Sequence, residues 1–211
     1  MHEERQVDRS HYEFSRYMTK GRWSSIWHQI DELIQLNPEK VLEIGPGSGV
    51  FKHVASLYGI SVETLDLDPE LKPDHVGSIT DLPFDDGSYD LVCAFQVLEH
   101  LPYQKSLDAF KEMERVSRKN VIISLPDAKI IWRYRFHVPM LGGYDIMIPR
   151  PVFGIKKHKY DGEHYWEINK KGYDLDRVIA DLSKGYGFKK TYRVVENPYH
   201  RFFVFEKNTG H

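Results

Sequence analysis

The sequence predicts a doubly wound α/β protein, in which a sheet of mainly parallel strands carries helices on both faces. Apolar runs such as KVLEIG and YDLVCAFQVL have the continuous hydrophobic character of strands that are covered on both sides. Stretches with apolar residues at helical spacing separate these runs. A glycine-rich turn joins the first strand to the helix after it, and this order of elements is typical of a parallel sheet.

The first half of the chain begins with a helix and continues with two strands. Apolar residues between positions 24 and 36 recur at helical spacing, and the Asn-Pro pair that follows predicts the end of this helix. KVLEIG is the first strand, and the helix after it begins at Val50 and ends at Gly59. SVETLDLD is the second strand, which ends before Pro69.

The second half starts with the same alternation and then loses it. The strand YDLVCAFQVL follows a tight DDGS turn, Pro102 opens a helix, and NVIISLP is the next strand. Residues 127–172 show no sustained periodicity, and a long irregular segment of this kind is often an active-site lid. A helix near 173–182 and two antiparallel strands, GFKKTYRVVEN and HRFFVFEK, complete the prediction.

Length and composition narrow the class of protein. A chain of 211 residues is expected to form one domain with one core. A net charge of −2 supplies no general attraction for nucleic acid or for an anionic membrane, so we expect neither as a partner. The single cysteine, Cys93, excludes an intrachain disulfide and a cysteine-based zinc site. Without a long apolar run or an apolar leader, a cytoplasmic location is expected.

The turn GPGSG between the first strand and its helix predicts a nucleotide-like ligand. Gly45, Gly47 and Gly49 let backbone amides and the positive end of the helix approach a ligand closely. The dinucleotide pattern G-x-G-x-x-G is not met, because Val50 stands at its sixth position, and this disfavours NAD and FAD. The G-K-[ST] ending of a phosphate-binding P-loop is also absent.

Two carboxylates near this turn sharpen the prediction. Glu43 lies within an otherwise apolar strand, where a carboxylate is costly unless a partner such as a cationic amine compensates it. Asp66 ends the second strand, where an acidic residue accepts hydrogen bonds from the hydroxyls of a ribose in nucleotide-binding α/β folds. Together they indicate a ligand that carries both an amine and a nucleoside.

At these residues the sequence resembles the class I S-adenosylmethionine-dependent methyltransferases, in their small-molecule branch. Four motifs carry the resemblance in the family's order: VLEIGPGSG, TLDLDP, GSITDLPFDDGSYDLV and FQVLEHLP. The resemblance implies a Rossmann-like, doubly wound sheet of seven strands, mostly parallel, with the last strand antiparallel. It divides the single domain into an N-terminal helical cap (1–37), a cofactor-binding core (38–126), a lid or insertion (127–172) and a last helix and strand pair (173–207).

The resemblance also assigns S-adenosylmethionine as the cofactor, with roles for individual residues. Glu43 and the turn residues would surround its methionine part, Asp66 would bind the ribose, and Leu67 would pack on the adenine. Many relatives have an acidic residue where Ser78 stands, so the contact to the adenine amino group is in doubt. The implied cofactor-binding residues are Glu43, Gly45, Pro46, Gly47, Gly49, Asp66, Leu67, Ser78, Ile79, Phe95, Gln96 and His100.

A methyl bound to a sulfonium is already activated, so its transfer needs alignment, desolvation and sometimes a base. His164 and His100 are the catalytic candidates, with His158 as a further base. A metal site among the histidines and acids of 137–164 is not predicted, because no pair has the spacing of a helical site. Solvated loop histidines remain the simpler interpretation.

The acceptor is expected to be a small molecule, held by the N-terminal segment and by the segment after the fifth strand. Stacking and charge pairing would suit a planar or anionic compound. The candidate acceptor-binding residues are Tyr17, Arg22, Trp23, Arg133, His158 and Trp166. Two alternatives stay open: a catalytically silent cofactor-binding partner or regulatory subunit, and a nicotinamide-dependent oxidoreductase. The sequence indicates neither the methylated atom nor an oligomeric state.

Overall fold

The structure, a computed structural model, describes residues 12–151 and 154–208. Its helices are α1 (Phe14–Tyr17), α2 (Lys20–Leu36), α3 (Val50–Leu57), α4 (Tyr103–Val116) and α5 (Leu175–Leu182). Its strands are β1 (Lys40–Ile44), β2 (Ser61–Asp66), β3 (His75–Val76), β4 (Tyr89–Phe95), β5 (Ser117–Pro126), β6 (Ile131–Val138), β7 (Gly142–Pro149), β8 (Tyr186–Arg193) and β9 (His200–Lys207).

The main sheet confirms the predicted fold class. Its seven strands lie in the order β3-β2-β1-β4-β5-β9-β8, and all pairs from β3 to β5 are parallel. The last strand, β9, runs antiparallel to β5 and to β8, which forms the edge. The strand order reverses between β1 and β4, and in such sheets ligands bind beyond the carboxyl ends of the strands at that point.

Helices cover both faces of the sheet because successive side chains of a strand point to opposite sides. On one face, Val41 of β1 packs with residues of α2 and α3 such as Leu33 and Phe51. On the other face, Leu42 of β1 packs with α4 and α5, as in its cluster with Phe110. Both faces are therefore apolar, as the strand sequences predicted.

The helix α2 begins four residues earlier than the apolar spacing predicted. The side chain of Thr19 accepts a hydrogen bond from the backbone N–H of Arg22 at 3.1 Å and caps the helix. At the other end Asn37 adopts the left-handed conformation and stops it before Pro38. None of the helices in the described ranges is both long and apolar enough to cross a bilayer.

The prediction of an irregular segment between 127 and 172 is partly wrong, because β6 and β7 form an antiparallel hairpin there. The six residues from Trp132 to His137 alternate aromatic and basic side chains, which is the period of two of a strand. Residues 154–172 contain no helix or extended strand among those described and lie between the hairpin and α5.

Candidate functional site

The glycine turn between β1 and α3 has the backbone conformation that requires glycine. Gly45, Gly47 and Gly49 have φ of +70°, +52° and +71°, in the left-handed region that L-residues avoid. The turn is closed by a hydrogen bond from the Gly49 N–H to the Pro46 carbonyl at 2.9 Å. Gly49 then precedes the first residue of α3, whose amino end lies at the turn.

Neighbouring side chains approach this turn so closely that a Cβ would collide with them. A Cβ on Gly45 would lie 2.6 Å from Val97 Cγ2, and one on Gly47 would lie 2.9 Å from Tyr12 Cε1. A cleft of about 500 Å³ opens beside the turn, which is in the range of small-ligand sites. It is lined by Tyr12, Glu13, Gly47, Ser48, Glu70, Leu71 and Lys72.

Glu43 is a buried carboxylate at the carboxyl end of β1. Glu43 is 3% exposed, and its Oε2 has no hydrogen-bond partner among the described residues. Burial raises the pKa of Glu43 to about 8, although the charge of Lys52 lowers it in part. A buried carboxylate with one oxygen open to a further partner fits a cationic group of a ligand.

The titration of Glu43 predicts a pH-dependent stability of the free protein. The pKa of Glu43 is about 8 in the folded state and 4.5 ordinarily. Between these two pH values the folded protein therefore holds a proton that the unfolded chain has lost. This stabilising contribution is complete below pH 4.5 and is lost as the pH rises towards 8, by at most about 1.4 kcal/mol per pH unit.

We expect Glu43→Gln to flatten the fall of the unfolding free energy between pH 5 and 8, because the amide cannot ionise. Urea denaturation at several pH values measures this. Glu39→Gln, at an exposed carboxylate beside the same strand, is the matched control and should leave the pH dependence unchanged. Superimposable curves for wild type and Glu43→Gln would contradict the prediction.

The carboxyl end of β2 carries the predicted ribose site. Asp66 is partly buried, burial raises its pKa, and its Oδ1 accepts the backbone N–H of Asp68 at 2.9 Å. Leu67 is 41% exposed, so its side chain is available to a flat ligand. Ser78 and Ile79 lie just after the short strand β3 and not in it, and the Ser78 hydroxyl pairs with Thr80 at 2.8 Å.

The carboxyl end of β4 carries the next predicted cofactor residues. Phe95 packs edge to face against Phe51, with ring centroids 5.3 Å apart. Gln96 has a φ of +58°, and its backbone N–H and side-chain amide both bond to Ser124 of β5. Gln96 therefore presents backbone as well as side chain at the sheet edge, whereas the Phe95 ring serves mainly the core.

The N-terminal segment lies over the glycine turn. The rings of Tyr12 and Tyr17 meet edge to face at 4.9 Å, and the Tyr17 hydroxyl is 3.2 Å from where a Cβ on Gly47 would be. The Arg22 guanidinium lies 4.0 Å above the Tyr17 ring centroid. The pKa of Glu99 is raised by burial, and the charge of Arg22 opposes part of this rise.

Beyond β4, two histidines predicted as catalytic lie next to a buried carboxylate. The rings of His100 and His164 are 5.1 Å apart between centroids. Glu99 is 0% exposed, and neither of its carboxylate oxygens has a hydrogen-bond partner in the described part of the chain. Burial raises the pKa of Glu99 to about 8, whereas the nearby His164 lowers it in part.

His164 is oriented by a second carboxylate. Its Nδ1 lies 3.4 Å from Glu167 Oε1, which also accepts the hydroxyl of Tyr199 at 2.6 Å. Burial disfavours protonation of His164, but the carboxylates of Glu167 and Glu99 outweigh it and the pKa of His164 is raised. Burial instead lowers the pKa of His100, whose Nδ1 donates to the Glu163 carbonyl at 3.0 Å.

Two predicted acceptor residues have structural roles instead. Trp166 is 1% exposed, its indole N–H donates to Ser106 at 3.0 Å, and its ring packs edge to face on Tyr103, so it belongs to the core. The prediction that Trp166 contacts the acceptor is therefore wrong. His158 donates through Nε2 to the His164 carbonyl at 2.8 Å. This hydrogen bond stabilises the loop, so His158 is not a solvated base.

The other predicted acceptor residues are more dispersed. Arg133 of the hairpin donates to the Val195 carbonyl at 2.8 Å, which links β6 to the connection between β8 and β9. Trp23 of α2 is 54% exposed, and the structure does not connect it with the glycine turn. Of the N-terminal candidates, Tyr17 and Arg22 are the two that the fold brings to the site.

Glu99 is a candidate site residue that the sequence pattern did not indicate, although it lies within the motif FQVLEHLP. The argument applied to Glu43 applies here equally, because a carboxylate that follows an apolar strand is costly when buried. What the pattern could not supply was the burial itself, which depends on α4 and on the segment around His164.

The fold places the glycine turn and the buried Glu43 at the reversal point of a doubly wound sheet, which is where such sheets bind their ligands. Residues 42–125 match the family model described as a methyltransferase domain. The chain is also 29% identical over 111 residues to norajmaline N-methyltransferase of Rauvolfia serpentina, covering 44% of this chain. The match spans 35% of the length of that relative.

Solved structures show the same fold across most of the chain. The N1-methyltransferase of 1,6-didemethyltoxoflavin from Burkholderia thailandensis, with this compound and S-adenosylhomocysteine bound, has a TM-score of 0.57 and 13% identity. The comparison covers 94% of this chain and 84% of that one. A small RNA methyltransferase, HEN1, has a TM-score of 0.61 and 14% identity, with 90% of this chain and 25% of that one covered.

Residues 42–125 thus match the methyltransferase-domain model within a seven-stranded, doubly wound sheet, which supports the resemblance to the class I S-adenosylmethionine-dependent methyltransferases. The family segment begins in β1 and ends in β5, so it contains the glycine turn, Asp66 and the Glu99–His100 pair. The N-terminal segment, the hairpin and residues 154–172 lie outside it.

Proposed function

We propose that this protein transfers a methyl group from S-adenosylmethionine to a small-molecule acceptor. The observation that carries the proposal is the buried Glu43 beside three glycines of positive φ, with Asp66 at the end of the adjacent strand. Among the described residues, Glu43 Oε2 has no hydrogen-bond partner. A ligand with an amine at one end and a ribose at the other matches this arrangement. The buried Glu43 carboxylate, which suits an amine, supports S-adenosylmethionine over a dinucleotide.

The residues have distinct tasks in this proposal. Glu43 pairs with the amine of the cofactor, the glycine turn admits its methionine part to the backbone, and Asp66 accepts the ribose hydroxyls. Leu67 and the buried Ile79 offer apolar surface to the adenine. When bound, the cofactor supplies a methyl group that is activated by its sulfonium. The protein then needs mainly to align the acceptor and to exclude water.

The acceptor side is formed by the N-terminal aromatic residues and the cluster after β4. Arg22, stacked on Tyr17, offers a cation to an anionic acceptor, and the Tyr12 and Tyr17 rings offer flat surfaces. A compact acceptor suits this arrangement because Tyr12 and Tyr17 lie directly against the glycine turn. The small-molecule activities of the norajmaline and toxoflavin enzymes give the proposal further support, whereas the RNA enzyme keeps an RNA acceptor as an outcome to test.

Cofactor identity is tested by calorimetry with S-adenosylhomocysteine and with NAD. We expect S-adenosylhomocysteine to bind in the micromolar range, about −8 kcal/mol, and NAD to give no measurable heat. Glu43→Gln should weaken the binding of S-adenosylhomocysteine because the amine loses its charged partner. Tighter binding of NAD would contradict the assignment and favour an oxidoreductase.

The acceptor class is tested with S-adenosylmethionine carrying a labelled methyl group. The protein is incubated with a low-molecular-weight metabolite extract and, separately, with total RNA. Label is expected in the small-molecule fraction alone. Label in RNA would overturn the acceptor class but not methyl transfer. Tight cofactor binding without label in either fraction would favour the catalytically silent partner subunit.

A further inference from the structure

The cluster of Glu99, His100 and His164 is a set of side chains whose arrangement methyl transfer by itself does not explain. Each residue offers one ligand atom, and these three atoms lie within 4.8 Å of one another. One carboxylate and two imidazoles at this separation match the ligand set of divalent first-row metal ions in proteins. The geometry points to a metal site at this position, and we propose that it binds one such ion.

An independent observation supports the site, namely the state of Glu99. Glu99 is 0% exposed, and neither of its carboxylate oxygens has a hydrogen-bond partner among the residues that the structure describes. A buried carboxylate without a hydrogen-bond partner is costly, and a bound cation removes that cost. Glu43 has the amine of the cofactor as its proposed partner, whereas no part of the cofactor is assigned to Glu99.

The two imidazoles are oriented as metal ligands usually are. A carbonyl can only accept, so the bond from His100 Nδ1 to the Glu163 carbonyl places the ring proton on Nδ1 and, in a neutral ring, the lone pair on Nε2. Glu167 lies 3.4 Å from His164 Nδ1 and has the same effect on that ring. Outer partners of this kind fix the tautomer and orientation of ligating histidines.

Asp161 and Glu167 form a second close group with His164, but both already accept hydrogen bonds from the protein. Asp161 Oδ1 accepts the backbone N–H groups of Glu163 and His164 and thereby shapes the loop. Glu167 accepts the Tyr199 hydroxyl and lies 3.5 Å from the Lys170 ammonium. Glu99, His100 and His164 are therefore the ligands, and three protein ligands leave coordination positions for water or for an oxygen of the acceptor.

This assignment changes the interpretation of the histidines and of the segment that carries them. His100 and His164 become metal ligands and not general bases, and the earlier expectation of no metal site is revised because the ligands come from separate parts of the chain. The ion would tie the turn after β4 to residues 154–172. Cation binding should therefore protect that segment from proteolysis.

The test uses Co²⁺ as a spectroscopic probe and Zn²⁺ for calorimetry on the full chain. The metal site goes beyond the proposed function, and its detection requires no cofactor. The metal proposal can therefore fail while the proposal of methyl transfer stands. We expect one ion per chain, visible d–d absorption with Co²⁺, and slower proteolysis of 154–172 with Zn²⁺ than with a chelator.

The substitutions Glu99→Gln and His164→Gln should each weaken the binding at least 10-fold, and Glu167→Gln by about 10-fold as an outer partner. The matched controls are Glu163→Gln, beside His164 in sequence, and His137→Asn, at an exposed histidine of β6; both should bind as wild type does. Circular dichroism and binding of S-adenosylhomocysteine verify that Glu99→Gln is folded. No uptake by wild type, or equal binding by wild type and folded Glu99→Gln, would overturn the site and return His164 to the role of a base.

Discussion

Gly45→Ala is expected to lower the free energy of unfolding by about 2–5 kcal/mol and to abolish detectable binding of S-adenosylhomocysteine. The new Cβ meets two obstacles. A left-handed conformation costs an L-residue about 1–2 kcal/mol, and Gly45 has a φ of +70°. The Cβ would also lie 2.6 Å from Val97 Cγ2, and overpacking of this kind typically costs about 1–3 kcal/mol. Urea denaturation measures the first effect and calorimetry the second.

Two further variants separate the causes. Gly59→Ala is a matched control, because Gly59 has a φ of +77° but no atom within 4 Å of its added Cβ, so only the conformational cost remains. The double variant Gly45→Ala with Val97→Ala removes the collision and should recover part of the stability. Equal losses for Gly45→Ala and Gly59→Ala, with no recovery in the double variant, would show that the contact with Val97 is unimportant.

Asp66→Ala is expected to weaken the binding of S-adenosylhomocysteine by about 30- to 150-fold, while the protein stays folded. This range corresponds to about 2–3 kcal/mol, since hydrogen bonds to a charged group contribute about 1.5–3 kcal/mol each. Within the protein, the Asp66 side chain accepts the Asp68 N–H near the surface end of β2. Its loss should therefore affect the ligand more than the fold, and calorimetry measures this difference.

The controls for Asp66 address charge and folding separately. Asp66→Asn keeps the shape and one acceptor oxygen, so it should retain an intermediate affinity. Asp85→Ala removes an exposed carboxylate from a turn outside the site and should leave the affinity unchanged. An unaltered dissociation constant for folded Asp66→Ala would show that the ribose is bound elsewhere.

The local elements were predictable because their signals lie in short stretches of chain. The continuous apolar strands, the amphipathic helices and the turn at Gly45–Gly49 depend on neighbours within a few positions, and the structure confirms them. The antiparallel last strand followed from the family resemblance, and the structure bears it out. The hairpin was not predicted although a period of two is present in the sequence, because this alternation is confined to a short part of the segment 127–172.

The residues that cross between distant segments could not be predicted in this way. Tryptophan is a residue type that often contacts ligands, yet packing against Tyr103 and α4 places Trp166 in the core. Glu99 and His164 are 65 positions apart by residue number. They meet because the segment after the hairpin packs on the turn after β4, where the Tyr165 N–H donates to the Glu99 carbonyl at 2.9 Å. Pattern and spacing can thus determine the fold class and the side of the sheet where ligands bind. Burial decides which of the polar side chains there remain without a partner, and burial depends on how the whole chain packs.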